Sequence, residues 1–449
     1  MTTHTIHKGF DLPLAGRPEP TLVDAPEPAR IAIETAEFAG IKPKVLVKEG
    51  DPVKTGQPLF LDKTDRDLVW CSPVTGTVSR IDFGDRRFLL RMVVDNAAAK
   101  GGKEEFAELA RPAGDRDAVI KALKGAGLWP LLRQRPVGKM ANSQKTPVAI
   151  FVNGMDTAPL AADPCFAVQG KKADLQAGIE VLQKLAAKVY LALRAGGDHQ
   201  ADVRDLKGCE VHEFRGPHPS GLVGTHISRI RPLKVSECAW TLTLQDLARI
   251  GEWARTGRYP AKTVVALSGS AASNRKYYRV RQNGDVAVLN GNQPFTGDVR
   301  LIGGTVLHGS VVAQDKCLGF FDKTLTVIPE GTGQRDLFGW ALPQFGKLSW
   351  HRSVFSWLLP KKEHVLDARL NGGHRPIVNI GAWEGVMPLD IIPSYLVRAI
   401  QANDIEEAVK LGLLEVTEED VALCTFVDAC KIDVGQVIRQ GLDMYEKEG

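Results

Sequence analysis

Between residues 40 and 95 the chain is cut into short apolar runs by glycine and proline turns. Val45-Leu46-Val47 precedes Lys48-Glu49-Gly50-Asp51, and the run from Val53 to Leu61 passes through Gly56-Gln57-Pro58. Ser72-Pro73-Val74-Thr75-Gly76-Thr77-Val78 follows, then a last apolar run from Phe88 to Val94. Turn residues at this density between β-branched residues leave no room for a helix and predict an all-β module of tight turns. Beyond residue 148 the pattern changes. Val148–Val152 reads as a buried strand, Leu175–Ala187 as a helix and Lys188–Leu193 as another strand. That alternation predicts a βαβ layer with a parallel sheet.

A chain of 449 residues has room for about three domains, and two classes of function fall away on composition. Lys and Arg number 57 against 53 Asp and Glu, with no long basic block, which argues against a nucleic-acid binder. Seven cysteines without a CxxC pair read as a reduced, intracellular chain. The start, MTTHTIHKGFDLPLAG, has no basic cap before an apolar core, and no stretch reaches about 18 apolar residues. The expectation is a soluble chain on the cytoplasmic side.

The phrases KEGDPVKTGQPL and SPVTGTVSRI resemble the two halves of a barrel-sandwich hybrid, the fold of lipoyl and biotinyl carriers. A carrier lysine would sit at the tip of the hairpin between them. The midpoint is Thr64-Asp65-Arg66-Asp67, and Lys63 lies off-centre, so the fold is expected without the carrier chemistry. Further on, Asp115 is placed to cap a helix over Arg116–Lys124. Gly125-Ala126-Gly127-Leu128-Trp129-Pro130 follows that helix rather than a strand, and so fails as a dinucleotide fingerprint.

Seven ordered segments resemble one family: AVIKALKGAGLWPLLRQRPVGKM, AIFVNGMDTAPLAADP, FRGPHPSGLVGTHI, GRYPAKTVVALSGSA, LFGWALP, GVMPLDIIPSYLVRAI and LCTFVDACKIDVGQVIRQGL. The family is the A subunit of the Na+-translocating NADH:quinone oxidoreductase, and the likeness covers essentially the whole chain. It brings a wider likeness to the flavin-bearing subunit of complex I and to the Rnf C subunit. Those relatives carry a glycine-rich turn where this chain has Trp129 and Leu131, which implies a flavin and NADH pocket that is filled. Where they carry an acidic stretch, this chain has Asn153 and Asp156, which read equally as turn and cap residues. In the Rnf relative the C-terminal region resembles a two-cluster ferredoxin domain. A cluster needs about four thiolates, and only Cys424 and Cys430 remain here.

Two residue groups are candidates for contact chemistry. Arg215, His218 and His226 lie in a proline- and glycine-rich loop and could bond a quinone carbonyl and deliver a proton, because imidazole titrates near neutral pH. A rigid structural loop is the competing account. The stretch 337–359 is rich in aromatics, with Trp340, Trp350 and Trp357 followed by Lys361 and Lys362. Aromatic and basic side chains together suit a membrane headgroup layer or a partner interface, against a plain core.

The whole reads as an α/β multidomain chain. Residues 1–100 are expected to form the barrel-sandwich-hybrid module, 101–234 a Rossmann-like βαβ domain and 235–330 a β-grasp-like (SLBB-type) domain. Residues 331–449 are read as an aromatic-rich connector and a helical domain resembling a ferredoxin domain without its clusters. The resemblance implies a peripheral subunit on the cytoplasmic face of the bacterial inner membrane, capping the complex near the quinone site. Its partners would be subunits B to F, with ubiquinone a candidate contact. No catalytic, metal, flavin, NADH or Fe–S residues are assigned to this chain. NADH, FAD, FMN, riboflavin and Fe–S centres would be used by other subunits. The rival readings are an Rnf-C-like or flavin-dependent NADH dehydrogenase subunit, and a lipoyl or biotinyl carrier.

Overall fold

The computed structural model describes residues 2–332, 348, 350, 362–371, 373–377 and 381–448. The turn-rich N-terminal region forms two small antiparallel sheets. One joins Arg30–Glu34, Leu89–Asn96, Gly76–Phe83 and Pro52–Val53, in that order; the other joins Pro43–Val45, Pro58–Asp62 and Val69–Cys71. Alternating side chains fill the space between them, with Ile31, Ile33, Val78 and Met92 buried from the first sheet. Phe60 and Trp70 of the second stack with ring centroids 5.0 Å apart. The hairpin tip after Pro58–Asp62 is tied down, because Asp65 pairs with Lys124 of the helix Arg116–Gly125 at 2.5 Å. A swinging arm there would have to break that contact. The helix itself begins where expected, with the Asp115 carboxylate accepting from the Ala118 N–H at 3.0 Å.

The α/β layer is a seven-stranded sheet in the order Thr2–Thr5, Glu210–Arg215, Val189–Arg194, Ile150–Asn153, Ala239–Thr243, Arg133–Arg135 and Lys139–Met140. The first five strands are mutually parallel, and each of the last two pairs antiparallel to the strand before it. Along the strand 150–153 successive side chains take opposite faces. Ile150 and Val152 join the core under helices Lys172–Leu185 and Leu244–Thr256. Phe151 packs with Val223 and Ile227 of the helix Val223–Ile230. The two long helices meet backbone to backbone: a Cβ on Gly251 would lie 1.7 Å from the Asp174 carbonyl oxygen, and one on Gly178 2.5 Å from that of Leu247.

A second mixed sheet of six strands follows: Ser310–Val312, Val299–Gly303, Thr324–Pro329, Lys262–Ser268, Tyr277–Arg281 and Leu22–Asp24. The C-terminal region packs helices Ala382–Val386, Pro393–Gln401, Ile405–Lys410, Ala422–Val427 and Val434–Glu448 around Leu396, Ile400, Leu423, Ile438 and Leu442. Cys424 and Cys430 are both buried there.

Two expected boundaries differ from the observed sheets. The strand 239–243 and the helix 244–256 belong to the seven-stranded sheet, so a division at 234/235 would split it. The segment before residue 25 does not build the N-terminal module; it supplies edge strands to both larger sheets. Hydrophobic periodicity identifies a strand but carries no information about which distant strand it pairs with.

Candidate functional site

At the carboxyl ends of the parallel strands 150–153 and 189–194 lies a cavity of about 460 Å³. This is the edge of an open α/β sheet where ligands characteristically bind, and the volume suits a single small molecule. The loop Gly154–Cys165 forms most of its wall, with Arg194 and Gln200 on one side, Asp11 and Arg17 on another, and Tyr277 closing it from the six-stranded sheet. The Tyr277 hydroxyl accepts from the Asp163 N–H at 2.9 Å.

Turn chemistry shapes the loop. The Asn153 side chain accepts from the Met155 N–H at 3.1 Å and donates to the Gly221 carbonyl at 3.0 Å. Asp156 accepts from the Ala158 N–H at 2.8 Å. Both therefore act as the turn residues their spacing allowed. Asp156 also faces the cavity, half-buried. Burial pushes its carboxyl up to about 6, and negative Glu419 pushes the same way, against the Ala158 N–H, His308 and Arg194.

Behind this wall lies a polar chain from three parts of the molecule. His308 bonds Thr305 through Nδ1 at 3.0 Å, and its Nε2 stands 3.7 Å from Glu419. Glu419 accepts from the buried guanidinium of Arg135 at 2.8 Å, and Asp420 accepts from the same group at 2.6 Å. The second Asp420 oxygen has no hydrogen-bond partner among the described residues and lies over Gly224, in the first turn of helix 223–230. The positive end of that helix favours a carboxylate there.

The three loop residues singled out from sequence do not line the cavity. The His218 imidazole is buried one layer beneath it, with Nδ1 3.1 Å from the hydroxyl of Thr157, a wall residue. His226 is turned under its own loop, bonding the Ser220 carbonyl at 3.0 Å and packing on Phe214 at 4.3 Å. Desolvation holds His218 down at about 4 and His226 at about 3, so both rings are neutral at pH 7. Arg215 is exposed at the end of its strand. Among the titratable groups that line the cavity, Asp156 is a carboxyl with a raised pKa, and the sequence marked it only as a turn residue in an acidic stretch of its relatives.

Of the aromatic–basic group, Trp350 is half-buried with its ring edge-on to Phe10 at 5.0 Å, joining the N-terminal segment to the C-terminal helices. Lys362 is exposed, while Trp340, Trp357 and Lys361 lie outside the described residues. Trp129 and Leu131 are buried in the main core; Trp129 meets Trp240 edge-to-face at 5.2 Å and donates to the Ala141 carbonyl at 2.9 Å. Among the described residues no cluster of three or more His, Cys, Asp or Glu could hold a metal ion, and no helix is long and apolar enough to cross a membrane.

Comparison with known proteins gives a consistent result. Residues 4–97 match the model of an NqrA N-terminal barrel-sandwich hybrid domain, and residues 114–259 that of an NqrA second alpha/beta domain. The chain is 39% identical over 449 residues to the A subunit of the Na(+)-translocating NADH-quinone reductase of Actinobacillus succinogenes, covering 99% of this chain and 100% of the relative. It is 39% identical over 453 residues to the protein of the same name from Neisseria meningitidis, covering 99% of each. A solved NAD+-reducing nickel–iron hydrogenase in the air-oxidized state is 14% identical over 48% of this chain and 47% of that one, with a TM-score of 0.34.

Proposed function

We infer the function from one premise: the chain belongs to the NqrA family, the A subunits of the Na(+)-translocating NADH-quinone reductase. It works as a subunit of the enzyme that couples NADH oxidation by quinone to Na+ transport, with the other subunits, B to F, as its partners. Its place is peripheral, at the cytoplasmic face of the inner membrane, where it caps the complex near the site of quinone reduction. In keeping with this, no described helix is long and apolar enough to cross a membrane.

Its direct contribution is a contact with the ubiquinone headgroup in the cavity at the carboxyl ends of strands 150–153 and 189–194. The observation that carries this reading is Asp156, a carboxyl held up at about 6 that faces the cavity. Such a group can donate a hydrogen bond or a proton to a quinone oxygen near neutral pH. The flavins and iron–sulfur centres of the enzyme belong to other subunits. Trp129 and Leu131 support this, since they occupy core space where relatives carry an open glycine turn. The six-stranded sheet is read as β-grasp-like, and the C-terminal helices as a ferredoxin domain that has lost its clusters.

Photolabelling of the assembled reductase with an azido-ubiquinone tests the headgroup contact. Label is expected on the 154–165 loop, with loss of labelling in Asp156→Leu at unchanged assembly. Label confined to other subunits removes the contact and leaves a scaffold.

A further inference from the structure

We propose that the hairpin joining strands Gly76–Phe83 and Leu89–Asn96 is a docking tip that seats in the headgroup layer of an anionic bilayer. The proposal does not depend on quinone binding; it assigns residues to the membrane side of a peripheral subunit.

The hairpin reaches beyond the sheet that carries it. The neighbouring strand Arg30–Glu34 pairs only as far as Arg91, opposite Glu34, and beyond it the Thr35 hydroxyl still reaches the Leu89 and Leu90 carbonyls, so residues 83–88 extend past the sheet as the end of a two-stranded ribbon. The register shifts between Asp82 and Phe83, the kind of irregularity that twists a ribbon away from its sheet. Leu89 points inward and is buried. Its neighbours do the opposite: Phe83 is 46% exposed, Phe88 42% and Leu90 49%. Leu90 lies over Gly84, where a Cβ would come within 3.1 Å of its side chain. Three large apolar side chains thus share one small protrusion, a concentration that marks an interaction site rather than scattered surface residues.

The turn residues are the second observation. Arg86 and Arg87 have φ of 52° and 58°. Two consecutive left-handed positions in a hairpin turn are where Asn-Gly normally sits, because other side chains clash there. The chain places two arginines instead. Neither guanidinium makes an ion pair or hydrogen bond among the described residues, whereas Arg80 and Arg91, lower in the ribbon, share Asp82 at 2.6 and 3.1 Å. The tip therefore presents two uncompensated cations, with Asp85 as the one acid between the phenylalanines.

Shape and charge together select the occupant. A convex tip buries little area against a rigid protein unless a matching groove exists, but a fluid headgroup layer closes around it. Phe and Leu side chains bury at the boundary between headgroups and acyl chains, and arginines meet lipid phosphates just above it.

Co-sedimentation of the full chain with vesicles tests the proposal. Vesicles containing phosphatidylglycerol should bind the chain and pure phosphatidylcholine vesicles should not, with binding weakened by salt. Phe83→Ser/Phe88→Ser/Leu90→Ser should reduce binding about tenfold or more, and Arg86→Gln/Arg87→Gln should abolish the preference for the anionic lipid. The arginines are exposed and the three apolar side chains about half exposed, so circular dichroism should stay unchanged in both variants and the melting temperature unchanged in the arginine variant. Absence of binding to the anionic vesicles, or binding that survives both variants, overturns the proposal. A photo-crosslinker at position 88 in the assembled reductase should capture lipid; capture of another protein chain instead overturns it in favour of a protein contact. Neither result bears on azido-ubiquinone labelling of the 154–165 loop.

Discussion

Arg135, on the antiparallel edge of the seven-stranded sheet, donates to Asp420 of the C-terminal helical region at 2.6 Å, and both side chains are buried. The bond spans 285 positions of sequence and locks the helical region to the sheet. Removing Arg135 strands the buried Asp420 carboxylate, which typically costs about 3–5 kcal/mol, whereas removing the Asp420 charge leaves Arg135 with Glu419 and costs less. Arg135→Met and Asp420→Asn should each lower the unfolding midpoint and open the C-terminal helices to limited proteolysis. The double variant should recover part of the Arg135→Met loss, because the carboxylate left without the guanidinium is then the partly exposed Glu419 rather than the buried Asp420.

Asp156 should make the protein less stable as pH rises. Its folded-state pKa of about 6 lies above the value near 3.9 of a free aspartate. The folded form therefore holds more protons between those values, and stability is fully present below pH 4 and lost through pH 6. Asp156→Asn removes this slope. Relative to wild type it should gain about 1–2 kcal/mol at pH 7, the partial exposure of the carboxylate screening the effect. Denaturant titrations of both proteins from pH 4 to 8 measure the difference; parallel curves would contradict it.

His226 should titrate with the opposite sign. Burial holds its pKa down at about 3, below the ordinary histidine value near 6.5. The stability it contributes is present above pH 6.5 and is lost as pH falls toward 3. NMR of the imidazole should show a neutral ring at pH 5, protonated at Nε2, which bonds the Ser220 carbonyl.

Helices 172–185 and 244–256 should not tolerate a side chain at their crossing. Gly251→Ala would bring a methyl group to 1.7 Å from the Asp174 carbonyl oxygen, forcing the helices apart. A loss of about 3 kcal/mol is expected, the upper end of the usual overpacking range. Gly170→Ala, with nothing within 4 Å of its Cβ but a φ of +76°, separates the cost of crowding from that of backbone strain alone.

The hairpin tip beside Lys63 should become mobile when its tether is cut. Lys124 is buried in its pairing with Asp65 and also donates to Ser143 at 2.8 Å. Lys124→Met should raise hydrogen exchange across residues 63–67 while changing global stability by only about 1–2 kcal/mol. Unchanged exchange would show that the β module holds the tip alone.

Local order was legible from the residues. The Asp115 cap and the helix it opens stand where the pattern put them, and the strands at 150–153 and 189–194 lie within a residue or two of the expected spans. These depend on apolar spacing and capping side chains, which act within a few residues of one another. The family was legible too, because its ordered motifs run the length of the chain.

The site was not. His218 and His226 read as loop imidazoles that could meet a quinone or belong to a rigid loop, and tertiary packing buries both and leaves them neutral. Asp156 gains its raised pKa from burial and from Glu419, a group 263 positions away that no local pattern connects to it. Which strands share a sheet, which carboxylates meet Arg135 and which side chains lose their water are set by contacts between distant segments. Short-range chemistry in the sequence determined the elements and the lineage. Only the closed tertiary structure decided the electrostatics, because desolvation exists only once the chain has folded around a group.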